Sequence, residues 1–335
     1  MYTELEMEDI KRVATSNFIS FATLRNKTIL ISGGTGLIGS FLVEVIKYRN
    51  EYFDDNIKVI SLSRSGGENE TNVIRKCCDV TRKIIIDDEI DFIIHLASNT
   101  HPIQYENDPV GTILTNVLGC NNLLEIGVKK KICKFLLASS VEIYGQGDKY
   151  PIDEKYNGYI DCNQIRSGYN EAKRLSELLC LSYSKQYNVN ISIARFSRVI
   201  GPDKKIDSKA MSQFMDKALA NEDIILKSKG HQLFSYCYVS DAVSGLLKVL
   251  IDGKHCESYN ISGDFDNMTL GKYAEYIAKL ANKKVIYEIE NNDNVSKASY
   301  AVLDTKKLKK LGWYPYYSIC DALKRIYLIK KSIKK

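Results

Sequence analysis

The chain has 335 residues, enough for one large α/β unit or two domains with a substantial core. Its net charge of +6 is modest, and no basic stripe is interleaved with aromatics, which argues against nucleic-acid binding. Nine scattered cysteines with no C-x-x-C, and only four histidines, argue against a disulfide framework or structural zinc and fit a reducing cytoplasm. Acidic Glu4, Glu6, Glu8 and Asp9 stand where a signal peptide would be basic, and no apolar run approaches membrane-spanning length.

In residues 1–26, Ile10, Val13, Phe18, Phe21 and Leu24 predict one or two amphipathic helical turns packed on the outside of the first domain. Thr28–Ser32 reads as a buried strand, followed by glycines and a helix over Leu37–Tyr48. Further strands are expected at Lys58–Leu62, Phe92–Leu96, Phe135–Ala138 and Ile191–Ala194, with helices at Thr112–Val128 and Tyr169–Gln186. Short apolar strands alternating with helices predict a doubly wound parallel α/β sheet of the Rossmann type. After Gly201-Pro202 the pattern becomes mixed. Helices are expected at Ala210–Ala220 and Leu270–Ala281, and a strand at Lys284–Tyr287. The expected division is a nucleotide-binding domain over 1–200, to which 236–260 returns, and a smaller substrate-binding part from 201–235 and 261–335. The basic residues near the C-terminus, among them Lys306, Lys307, Lys330 and Lys331, read as a solvated helix face and tail.

Ser32-Gly33-Gly34-Thr35-Gly36-Leu37-Ile38-Gly39 follows a strand and opens a helix, the context of a dinucleotide-binding loop. Glycines let the backbone approach a pyrophosphate, and the helix N-terminus offers free N–H groups. The second strand ends Leu62-Ser63-Arg64, with a cation where a ribose-binding carboxylate is usual. Arg64 therefore tilts the cofactor slightly toward NADP, although it suits stacking on adenine in NAD as well. Asp79-Val80 is placed for the adenine amino group, or is a simple turn.

Tyr169 and Lys173 are four apart on a predicted helix and share a face. An ammonium beside a phenol favours the phenolate, which takes a proton from an alcohol as the alcohol's carbon gives up a hydride. Such pairs also occur by chance, so the glycine loop upstream and the strand end Ser139-Ser140-Val141-Glu142 carry much of the weight.

Together with His95-Leu96-Ala97-Ser98, Asn116, the run from Arg195 to Gly201-Pro202, and Tyr238-Val239-Ser240-Asp241, these residues resemble the extended short-chain dehydrogenase/reductase family in its nucleotide-sugar-modifying branch. The resemblance covers about residues 27–320 and is nearest to UDP-glucuronate decarboxylases and 4,6-dehydratases. It implies a tightly held NAD(P), a nucleotide-sugar substrate, and a homodimer formed through the helices at 112–128 and 169–186. It implies that Tyr169 is the base at the sugar 4-hydroxyl. Lys173 lowers the tyrosine pKa and holds the nicotinamide ribose, and Ser140 steadies the 4-oxygen. Glu142 implies a lyase-type step through a 4-ketone, either 4,6-dehydration or decarboxylation; a 4-epimerase or C4 oxidoreductase is the alternative, and a redox-sensing protein without catalysis a third. The resemblance places Gly33, Gly36, Leu37, Ile38, Gly39, Arg64, Asp79, Val80, Leu96, Ala97, Ser98, Asn116, Tyr169 and Lys173 on the cofactor. It places Tyr105, Ser140, Val141, Arg198 and Lys209 on the substrate. Val141 replaces the aspartate acid of dTDP-glucose dehydratases and also the serine that decarboxylases usually carry, Phe234 replaces the family's diphosphate-binding arginine, and Arg198 stands where an asparagine is usual. The decarboxylases' basic residue before the last helix falls at Ser299 or Tyr300, with Lys297 the nearest cation. His95, Tyr144 and Trp313 read as packing residues, and His101 as a loop residue within reach of the substrate.

Overall fold

Seven strands of branched apolar residues form one parallel sheet in a computed structural model that describes residues 2–100, 102–146, 150–203, 209–263, 267–289 and 300–333. An N-terminal helix α1 (Glu4–Ala14) precedes β1 (Thr28–Ser32), α2 (Leu37–Phe53), β2 (Lys58–Ser63), β3 (Val73–Cys77) and β4 (Phe92–His95). Then come α3 (Pro102–Asn107), α4 (Pro109–Lys130), β5 (Lys134–Ser140), α5 (Ser167–Tyr187) and β6 (Ile191–Phe196). The C-terminal half contains β7 (Arg198–Ile200), α6 (Ala210–Leu219), β8 (Ile224–Leu226), β9 (Leu233–Phe234), β10 (Tyr236–Tyr238), α7 (Val239–Asp252) and β11 (Glu257–Ile261). It closes with α8 (Leu270–Leu280), β12 (Val285–Tyr287), β13 (Tyr300–Ala301), α9 (Lys306–Lys309) and α10 (Ile319–Ile333).

The sheet order is β11-β6-β5-β4-β1-β2-β3. The chain reverses direction across the sheet between β1 and β4, so a crevice opens at their C-terminal ends, where ligands of such sheets bind. Central strands are covered on both faces and read as near-continuous apolar runs. One core cluster lies under α1, α2 and α7; the other face is filled by α4 and α5. A third cluster joins α6, α8 and α10 to β8, β9 and β10.

Two expectations change. The edge strand β3 is half polar (Val73-Ile74-Arg75-Lys76-Cys77), a composition that blunts a sheet edge and hides the strand from an apolar-run reading. The N-terminal segment is a three-turn strap rather than a loose turn or two. Its Asp9 accepts hydrogen bonds from Tyr238, Tyr317 and Arg325, and Arg12 binds Ser240 and Asp241 at the start of α7.

Helix α5 is held against β5 and β6 by a buried fork. Arg195 donates to both Glu177 oxygens at 3.0 and 2.6 Å, and Ser139 donates to Glu177 at 2.5 Å. This fixes the helix that carries Tyr169 and Lys173.

Candidate active site

A cavity of about 1400 Å³ starts in the β1/β4 crevice, passes the end of β5, and continues between α6 and α10. Gly33 sits at φ +78°, and a β-carbon there would lie 2.8 Å from the Ala97 nitrogen. A β-carbon at Gly39 would lie 2.3 Å from the Gly33 carbonyl oxygen, so α2 approaches β1 only because that position is glycine. Gly36 caps α2 with no side chain over its N-terminus, and Leu37 and Ile38 line the same wall. This bare helix end is a cradle for a pyrophosphate.

At the adenosine end, Arg64, Asp79 and Val80 line the cavity and Arg64 is exposed. Asp79 also accepts from the backbone and hydroxyl of Thr81, which together hold its carboxyl below the ordinary range. It is thus a turn former that also faces the cavity. Leu96, Ala97 and Ser98 line the floor. Asn116 does not reach that wall: it is buried behind Ser98, whose hydroxyl donates to it at 2.9 Å.

The reactive centre gathers Tyr169, Ser140, Ser98 and Tyr105. Burial pushes the Tyr169 hydroxyl up to about 12, while hydrogen bonds with Ser140, then Ser98 and Tyr105, pull it down. Tyr105, carried in by α3, stacks on Tyr169 with ring centroids 4.6 Å apart and planes at 16°. Lys173 lines the cavity, but it does not pair with the tyrosine hydroxyl. Its Nζ donates to the Ala138 carbonyl at 2.8 Å and lies 6.0 Å from the centre of the Tyr169 ring. Burial draws this lysine down to about 8. The groups lowering the tyrosine pKa here are therefore hydroxyls, and the lysine is fixed by the end of β5.

Glu142 stands in the short turn after β5, where Ser140 Oγ accepts from its backbone nitrogen. Its Oε2 accepts from Asn170 at 3.3 Å and from Arg166 at 3.4 Å, and its Oε1 faces Arg198 Nη2 at 3.7 Å. Arg166, absent from the sequence reading, lies one helical turn before Tyr169 at the start of α5. Its signal was there in the i, i+3 spacing to the tyrosine. The Arg198 guanidinium carbon lies over the Phe234 ring, 3.7 Å from its centre. The cation missing at 234 is thus present nearby, on β7, which pairs with the following strand β10. Val141 and Lys209 line the cavity as well, and so does Lys330, expected in a solvated tail but directed inward from α10.

His95 is a buried core residue whose Nδ1 meets Ser32 Oγ at 2.7 Å, and burial with Lys173 nearby draws it down to about 3, so it is a neutral packing group. Tyr144 and Trp313 are fully buried. His101, Lys297 and Ser299 lie outside the described residues, and Tyr300 is described only in its backbone.

The model of the NAD dependent epimerase/dehydratase family matches residues 29–262. The chain belongs to that family. It is 36% identical over 312 residues to UDP-glucuronic acid decarboxylase 5 of Arabidopsis thaliana, covering 89% of this chain and 87% of the relative. Among solved structures it resembles the UDP-glucose 4-epimerase of Thermotoga maritima in complex with UDP-glucose (TM-score 0.78, 22% identity, 92% of this chain and 100% of the other). It also resembles the dTDP-glucose 4,6-dehydratase of Bacillus anthracis in complex with NAD (TM-score 0.75, 23% identity, 91% and 97%). The chain is an enzyme of the nucleotide-sugar-modifying kind, and its glycine cradle fits the dinucleotide that the family name implies.

Proposed function

We propose that the protein decarboxylates a nucleotide-linked hexuronate through a transient 4-ketone. The carrying observation is the surroundings of Glu142. Oε2 accepts from Asn170 and Arg166 and Oε1 faces the Arg198 guanidinium, contacts that support an acceptor role for this side chain rather than that of a general acid. Dehydration needs an acid at the departing C6 oxygen, and the neighbouring position is Val141. Loss of carbon dioxide needs none. The UDP-glucuronic acid decarboxylases of Arabidopsis, alike over most of both chains, support the same choice.

NAD(P), held by the glycine loop at 33–39, would supply the acceptor for the C4 hydride and its return. Tyr169 takes the 4-hydroxyl proton, and Ser140 donates to the 4-oxygen as it becomes a ketone. With the ketone in place the sugar is a β-keto acid. The C5–C6 bond breaks, carbon dioxide leaves, and its electron pair stays as an enolate across C5, C4 and the 4-oxygen. A proton from solvent then adds at C5. Tyr169 finally returns its proton to the 4-oxygen of the resulting pentose. Lys173, held by Ala138, lines the same cavity, which supports a contact with the nicotinamide ribose.

Arg64 supports a preference for NADP, because its exposed cation stands where no carboxylate is present; Arg64→Ala should weaken NADP more than NAD. Exposed Val110, Leu114 and Leu118 on α4 and Leu175, Leu178 and Leu181 on α5 support a homodimer. The test is incubation of the protein with NAD(P) and UDP-glucuronate, GDP-mannose, CDP-glucose or dTDP-glucose. A nucleotide pentose with carbon dioxide is expected. A 4-keto-6-deoxy sugar would assign dehydration instead, and a C4 epimer alone would leave Glu142 a structural residue.

A further inference from the structure

We infer that Arg166, Glu142 and Arg198 form the recognition site for the sugar's C6 carboxylate, an inference that rests on the proposed substrate class. The three side chains come from the start of α5, the turn after β5, and β7, and all line the cavity. Glu142 is the hub, with Arg166 at 3.4 Å on one oxygen and Arg198 at 3.7 Å on the other. Asn170 fixes the turn by donating to the Glu142 carbonyl at 2.7 Å and to its carboxylate at 3.3 Å. Two guanidiniums against one carboxylate leave one positive charge unmatched. Arg198 Nη1 is moreover buried and lacks a hydrogen-bond partner among the described residues. A buried donor without an acceptor is costly, so such groups in native proteins mark a missing partner. Phe234 covers one side of this guanidinium, whose carbon lies 3.7 Å from the ring centre. A guanidinium edge matches a carboxylate in charge and in fork geometry. One further carboxylate makes the cluster neutral; a neutral C6 hydroxymethyl does not. When the substrate carboxylate leaves as carbon dioxide, the cluster regains its net positive charge and the product loses that contact.

The same cations would also suit a diphosphate, and the test separates the two. Calorimetric titration of the NAD-loaded protein with UDP-glucuronate, UDP-glucose and UDP would be run on wild type and on Arg166→Gln, Arg198→Gln and Arg166→Lys. Wild type should bind the uronate ~10-fold or more tighter than UDP-glucose, as one charge-assisted pair provides. Each Gln variant should lose most of that preference and leave UDP-glucose and UDP nearly unchanged, while Arg166→Lys should keep part of it. Thermal melting of the variants reports whether they are folded. Equal weakening of all three ligands would overturn the inference and assign the arginines to the diphosphate; so would a wild type with no uronate preference. Product analysis is independent of this readout. Pentose formation with an unchanged uronate preference in the variants sinks the clamp alone. A preference abolished in the variants, without pentose from wild type, sinks the decarboxylation alone.

Discussion

Tyr105→Phe isolates one of the hydroxyls that act on the base. The substitution keeps the ring that stacks on Tyr169 at 4.6 Å and removes only the oxygen. Burial pushes the Tyr105 phenol above its ordinary range, so it stays protonated beside Tyr169, where its hydroxyl favours the phenolate. A hydrogen bond to a charged acceptor contributes about 1.5–3 kcal/mol, more than one to a neutral phenol. A neutral one contributes about 1 kcal/mol; losing the difference, about 0.5–2 kcal/mol, raises the Tyr169 pKa by roughly 0.4–1.5 at 1.36 kcal/mol per unit. The sign follows: a higher pKa means less phenolate at a given pH, so the rate below the pKa falls tenfold for each unit. Single-turnover oxidation of UDP-glucuronate, followed by nicotinamide absorbance across pH 6–10, should show a loss of about 3–30-fold. The range lies below the Tyr169 pKa in both proteins, so the loss should be the same at every pH tested. A loss smaller than about twofold would refute the hydroxyl as the cause and leave Tyr105 a packing residue.

Three further outcomes are expected. Lys173 is fully buried and drawn from 10.5 to about 8, so the folded chain holds fewer protons than the unfolded one between those values; stability should rise with pH there and carry the full penalty below about pH 8. Lys173→Met should therefore end activity yet stabilise the protein at pH 7 by about 2 kcal/mol, that is about 3 from the pKa drop less about 1 for the Ala138 hydrogen bond; a lower melting temperature without nucleotide would contradict this. Glu177→Ala leaves the half-buried Arg195 with only the Tyr144 hydroxyl and the Glu154 carbonyl in place of its carboxylate and should cost about 3 kcal/mol in urea unfolding, whereas a cost below about 1 kcal/mol would mean that the fork does not secure α5. Leu178→Asp, on the exposed face of α5, should convert a dimer to a monomer by light scattering, and a monomeric wild type would remove the basis for that interface.

The sheet was legible because β1, β2, β4, β5 and β6 are buried on both faces and so are written as apolar runs. Their order around the glycine loop also set where the crevice would open. What escaped was whatever depends on contacts distant in sequence. β3 has no continuous apolar run to announce it, because an edge strand is protected by Arg75 and Lys76. Nothing local in residues 1–26 says that Asp9 meets Tyr317 and Arg325, more than 300 positions away. The same holds in the site. Tyr169, Lys173 and Ser140 could be paired with their chemistry by spacing and order alone, but the hydrogen bond that draws Lys173 to Ala138 cannot be read from a helix face. Arg166 was hidden by its ordinariness as an arginine before a helix. Its meaning comes only from Glu142, 24 residues upstream, to which the fold returns it.

Phe234 and Arg198 looked in sequence like two separate losses, an arginine gone and an asparagine gone. In space they are one exchange. β7 pairs with β10, Arg198 opposite Tyr236, so position 234 lies just beyond the pairing and the guanidinium carbon lies over the Phe234 ring, 3.7 Å from its centre. The cation is kept in the cavity and passed to the adjacent strand, and its former place becomes the surface that supports it. Reverting one member alone should be worse than reverting both. Phe234→Arg sets two guanidiniums against each other in a site that already holds Arg166, while Arg198→Asn strips the stack from Phe234 and one cation from Glu142. Residues in contact couple by about 0.5–3 kcal/mol, and a desolvated cation–π pair is worth up to about 2 kcal/mol. The double variant should therefore be at least about 1 kcal/mol more stable in urea unfolding than the two single changes add up to. Additivity within about 0.5 kcal/mol would mean that the two positions vary independently and that the stacking does not hold Arg198 in place.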